Sequence, residues 1–155
     1  MRETLWALLL VAAAAGIAAC NDGGNPTGPT PIIPPVVDMQ ADERAALQSV
    51  EAWLSLLDAG NYSAAYDATG SHFRENLTFE DFRNSMEERF ELLGAFESRT
   101  LSSTQRLAMV PDAPPGDYFV FEFDGVYERR PNARERVTAV SESGEWPVVG
   151  IYIIR

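Results

Sequence analysis

His72 is the only histidine in the chain, and with Asp67 it has the residue types of a general base and its orienting carboxylate. The competing reading is a partly exposed histidine in the loop after a short helix. A lone histidine holds no zinc, which needs three or four convergent ligands, so neither a metal nor another cofactor is expected. Glu122, Asp124 and Glu128 could run acid–base chemistry if their surroundings separated their pKa values. Alternation along the strand instead puts them on its polar face, where solvated carboxylates are expected. Arg99 has two readings: a pocket-lining guanidinium that binds a carboxylate, or a surface ion pair with Glu135 on a neighbouring strand. Tyr118 and Trp146 are expected on an exposed aromatic rim, as contacts for a ligand or partner, since aromatic side chains tend to dominate interface energetics. The sequence contains no phosphate-binding glycine loop on a strand–helix junction, no serine elbow and no HExxH. No residue is assigned a catalytic role.

The one cysteine, Cys20, closes an uncharged run from Leu5 to Ala19. That run is too short for a membrane span, which needs roughly 20 residues, but it fits a secretory leader. Ile17-Ala18-Ala19-Cys20 resembles the lipobox of bacterial lipoproteins. The resemblance implies cleavage after Ala19, lipidation of the Cys20 thiol and a membrane anchor. Asn21, not being Asp, points to the outer membrane facing the periplasm. Residues 1–19 are therefore read as a signal peptide and 20–40 as a tether. Five of the ten prolines lie between Pro26 and Pro35, and a proline-rich tether of this length reaches about 60 Å.

The formal net charge is −11, which disfavours nucleic acid, whose capture rests on cations neutralising phosphates. It equally disfavours anionic lipid surfaces, so attachment falls to the lipid anchor. With Cys20 modified, no thiol remains for a disulfide or a nucleophile.

The elements that must position these residues occupy 41–155, enough for one core. Ala46, Leu47, Val50, Trp53, Leu54 and Leu57 form one helical stripe, with Asp42 expected as cap and Gly60 as stop. A second helix is read over Tyr62–Thr69 behind Asn61. A third starts at Thr78, where TFED resembles a capping box, with Phe79, Phe82, Met86, Phe90 and Leu93 inward. The period then falls to two. Strands are read at 96–110, 117–129, 134–142 and 145–155, separated by PDAPPG, RPNA and SG. Phe119, Phe121, Phe123 and Tyr127 share the buried face of the second strand. The expectation is an α+β domain, three helices on one face of a four-stranded antiparallel meander.

The blocks WLSLLDAGNYSAAY, ERFELLGAFESRT, PPGDYFVFEFDGVYE and GEWPVVGIYIIR resemble the bacterial domain-of-unknown-function family 4019. Tyr66 and Phe82 stand where that family often has tryptophan. The resemblance implies a small secreted protein or lipoprotein with a curved sheet of the nuclear transport factor 2-like (cystatin-like) kind, and it brings no catalytic residue. Two functions follow as expectations. One is a non-catalytic envelope module that binds a partner protein or small ligand. The other is a hydrolase- or isomerase-type enzyme with its site between helices and sheet. A homodimer is compatible with both.

Overall fold

The computed structural model describes residues 39–154. Residues 1–38, on which the expected leader, Cys20 and nearly all of the expected tether fall, lie outside the described residues. Four helices precede four strands: α1 (Met39–Asp58), α2 (Tyr62–Asp67), α3 (Ser71–Asn76), α4 (Phe79–Leu93), β1 (Phe96–Leu107), β2 (Tyr118–Tyr127), β3 (Arg130–Val140) and β4 (Val148–Ile154). The strands form one antiparallel sheet in the order β1-β2-β3-β4, so the α+β meander read from the sequence is present.

The helices start and stop where local chemistry directs. Asn61 caps α2 through Ala64 N, and Thr78 caps α4 through Asp81 N at 3.2 Å. Each satisfies a backbone donor that the helix itself leaves open. Gly60, at φ +69°, turns the chain out of α1. That helix begins at Met39 rather than at Asp42, which lies in its first turn instead of capping it. The segment expected as a loop around His72 is helical. Six residues with none buried give too little periodicity to announce a helix. Gly70 admits this turn because a Cβ there would meet Val149 Cγ1 at 2.6 Å.

The turn expected at RPNA lies two residues earlier. Tyr127 pairs with Arg130, so Glu128-Arg129 closes the hairpin. Pro131 falls near the start of β3, a place in a strand where a missing N–H is tolerated. Ser143 and Gly144 both have positive φ, 55° and 85°, the signature of a two-residue hairpin turn.

The core lies between α1, α2, α4 and one sheet face. Val50, Trp53, Leu54, Leu57, Phe82, Phe119, Phe121, Phe123, Val137 and Val148 are essentially closed to solvent. Trp53 donates its indole N–H to Ala65 O at 2.8 Å, so burying it strands no polar atom. Phe79 departs from its expected burial and is 37% exposed, with its ring set edge-on against Tyr66.

Candidate functional site

β1 carries two inward-facing arginines, and an irregularity in it decides which. Arg99 lies opposite Gly125 and Leu101 opposite Phe123. A register shift between Leu101 and Ser103 then places Thr104 opposite Phe121 and Arg106 opposite Phe119. An extra residue in one strand changes the face on which the following side chains lie. Two arginines of opposite parity thus share the helix-facing side.

Arg99 is held by four side chains. Its Nε donates to Glu135 Oε2, its Nη1 to Asp58 Oδ2 at 2.8 Å, and its Nη2 to Asp58 Oδ1 at 3.1 Å and Glu135 Oε1 at 3.2 Å. The Tyr127 hydroxyl lies 3.1 Å from Nη2 and donates to Glu135. The Phe96 ring covers the guanidinium at 4.5 Å. Glu135 stands on β3 and Arg99 on β1, with β2 between them. Their side chains meet across Gly125, where a Cβ would come within 3.0 Å of Glu135 Oε1. Burial disfavours the Arg99 cation, but the hydrogen bonds it donates to Asp58 and Glu135 outweigh it and hold its pKa above the ordinary range. Burial first, and the Glu135 charge second, keep the Tyr127 phenol protonated well past its usual value.

The pairing of Arg99 with Glu135 expected from the sequence is present, but not at the surface. The side chains of Arg99, Asp58 and Glu135 are 10%, 13% and 0% exposed. With its donors turned inward, this guanidinium fastens α1 to the sheet rather than offering itself to a ligand. Tyr127 lies on the buried face as its alternation implies, but no local pattern marks it or Asp58 as a partner of Arg99. Glu135 carried a signal, because it shares parity with the apolar Val137 and Ala139.

Arg106 repeats the device at the other end of α1. It donates to Asp117 at 2.8 and 2.5 Å and to Asp42 at 3.1 Å, above the Phe119 ring.

His72 borders an open groove of about 460 Å³ between α3, the 110–116 loop and the sheet. Its ring nitrogens lie 3.4 Å from Asp112 O and 3.3 Å from Asn76 Nδ2. Asp67 is not among its partners, and its carbonyl accepts from Arg74. Ser71 donates its hydroxyl and backbone N–H to Glu142, which lowers the Glu142 pKa. Tyr118 and Trp146, expected on an exposed rim, are 3% and 8% exposed. The Tyr118 hydroxyl donates to Pro114 O, so the proline loop folds over its ring. Trp146 packs on Phe119 at 5.0 Å.

Glu122 and Asp124 lie on the far sheet face against Arg136 and Arg134. Glu128 sits in the hairpin turn and accepts from Ala95 N. Among the described residues no group of three or more His, Cys, Asp or Glu is arranged to hold a metal, and no helix is long and apolar enough to cross a membrane.

A family model described as "Protein of unknown function (DUF4019)" matches residues 49–151. The chain belongs to the DUF4019 family. The matched span of this DUF4019 domain contains Asp58, Arg99, Gly125, Tyr127 and Glu135 together, while Asp42 precedes it. No curated protein matches the chain closely enough to count as a relative.

Proposed function

We propose that this DUF4019 protein is a lipid-anchored module of the bacterial envelope, held to the membrane at Cys20, that binds a partner protein through its surface. The observation that carries the binding part is the state of the helix–sheet interior. Trp53, Phe82, Phe119, Phe121 and Phe123 fill it, and its two arginines are neutralised by carboxylates of the fold itself. Recognition then falls to the open grooves around the domain. An enzyme with its site between helices and sheet would need room where those side chains pack. The anchor part rests on the Leu5–Ala19 run and on Ile17-Ala18-Ala19-Cys20, with the outer membrane as destination.

The experiment is metabolic labelling with a fatty-acid analogue, joined to photo-crosslinking of the anchored protein in its native envelope. Cys20→Ser is expected to lose the label and keep its leader. A labelled mutant sinks the anchor, and an absence of crosslinked partners from every surface position sinks the binding module.

A further inference from the structure

Arg83, Arg99, Arg106, Arg134 and Arg136 each lie against a carboxylate. Arg89, Arg129 and Arg130 have no carboxylate partner among the described residues, and all three line one open groove of about 930 Å³ between the C-terminal half of α4 and the adjoining ends of β3 and β4. Among the described residues Glu88 is the one acid in that lining. Three cations against one anion leave two positive charges, in a chain whose net charge is −11. The Arg129 guanidinium donates to Glu91 O at 2.7 Å, which holds it at the end of α4. Beside the arginines the groove is apolar. Leu93, Ala133 and Ile153 line it, and Leu92 and Tyr152 stand 55% and 61% exposed at its sides.

Arginine and tyrosine are enriched where proteins meet proteins, and the guanidinium fork matches a carboxylate with two parallel hydrogen bonds. Long anionic surfaces, a bilayer or a nucleic acid, must also approach the rest of an acidic molecule. A short acidic segment need not, because charges beyond about 8 Å are screened at physiological salt.

We propose that this groove docks an acidic peptide segment of a partner polypeptide, with carboxylates on Arg89 and Arg130 and an apolar side chain between Leu92 and Tyr152. The proposal rests on the binding-module reading and names the chemistry of its partner.

The test is fluorescence anisotropy of the purified full chain with a fluorescein-labelled hexapeptide alternating glutamate and leucine, beside a lysine–leucine counterpart. The acidic peptide is expected to bind and the basic one to fail. Arg89→Gln with Arg130→Gln should weaken binding at least tenfold, and Leu92→Ser several-fold, each with an unchanged melting profile. Arg134→Gln, on the far sheet face, should leave affinity within twofold. The docking site is overturned if the acidic peptide does not bind, if the double variant binds it equally well, or if Arg134→Gln weakens it as much. Vesicles of anionic phospholipid that bind through the same two arginines, with no peptide binding, would reassign the groove to a lipid headgroup and equally overturn it. Crosslinked partners elsewhere on the surface, with no peptide binding here, would sink the groove alone and leave the module reading standing.

Discussion

Arg99 and Arg106 stand seven positions apart on β1, yet both face α1, and each holds an aspartate at one end of that helix. Seven strand residues span about 23 Å. Asp42 and Asp58, sixteen helical residues apart, span about 24 Å. The two rises nearly coincide, so the helix and the edge strand run antiparallel with their charges in step: Asp58 meets Arg99, and Asp42 meets Arg106. The register shift between Leu101 and Ser103 makes the match possible, because an unbroken alternation would turn one arginine to solvent.

Removing Arg99 leaves Asp58 and Glu135 buried without their cation. Breaking such a pair from one side costs about 3–5 kcal/mol, a large share of the roughly 5–15 kcal/mol that holds a domain together. Arg99→Met should show this loss in urea denaturation. Arg99→Met combined with Glu135→Leu and Asp58→Asn should recover part of it. A triple variant no more stable than the single one would mean that the charges are not what the substitution disturbs.

Gly125 is expected to refuse even one methyl group. The added Cβ of Gly125→Ala would sit 3.0 Å from both Glu135 Oε1 and Tyr127 Cε2, in a network with no slack. Overpacking of this kind costs about 1–3 kcal/mol. Gly150, where a Cβ meets nothing within 4 Å, is the matched control, and Gly150→Ala should be near neutral by the same denaturation measurement.

Trp53→Ala empties the space between Phe82 and Ala65 and leaves Ala65 O without its indole donor. A loss of about 3–5 kcal/mol is expected. A melting temperature within error of the parent would contradict the packing of α1 on α2 and α4.

Stability should form a plateau in pH with a limb on each side. Glu142 is lowered by its Ser71 hydrogen bonds and Glu122 by its hydrogen bond from Arg136. Carboxyls shifted down stabilise the fold above their ordinary value of 4.5, and that contribution fades as pH falls through their folded values. Tyr127 is shifted up, so its contribution is complete below the ordinary 10.0 and fades as pH rises past it, when the unfolded phenol ionises first. Urea midpoints measured across pH should show both limbs. Ser71→Ala should weaken the acid limb and Tyr127→Phe the alkaline one.

His72→Ala and Asp67→Asn are expected to leave the cellular role intact, since the ring nitrogens of His72 lie against Asp112 O and Asn76 and not against Asp67. Complementation of a deletion strain reads this directly. Loss of function in both, with folding preserved, would favour the enzyme.

Where a long stripe or strict alternation existed, the sequence announced its structure. The face of α1, the aromatic row of β2 and the order of the strands were legible because period and burial coincide there. What escaped depended on contacts between distant segments. Asp58 looks like one more acid at a helix end until Arg99 arrives from 41 residues away. Tyr118 sits on the polar-parity face of β2, and it is buried only because Pro114 and its loop fold over the ring. Pro131 misled in the other direction, reading as a turn residue when it lies near the start of a strand. Arg89, Arg129 and Arg130 come from α4 and a hairpin, and no local pattern declares that they share a groove.

The Arg106 clamp also has a mechanical meaning. If the proposed anchor at Cys20 holds, a pull on the chain ahead of Met39 is delivered to the first turn of α1. Asp42 sits in that turn, and Arg106 ties it to β1 and to Asp117 just before β2. Tension would therefore be shared with two hydrogen-bonded strands instead of peeling the helix off residue by residue. In a force-extension experiment pulling on residue 39, Arg106→Ala should lower the first rupture force, while Arg99→Met, at the far end of the same helix, should leave that first event in place.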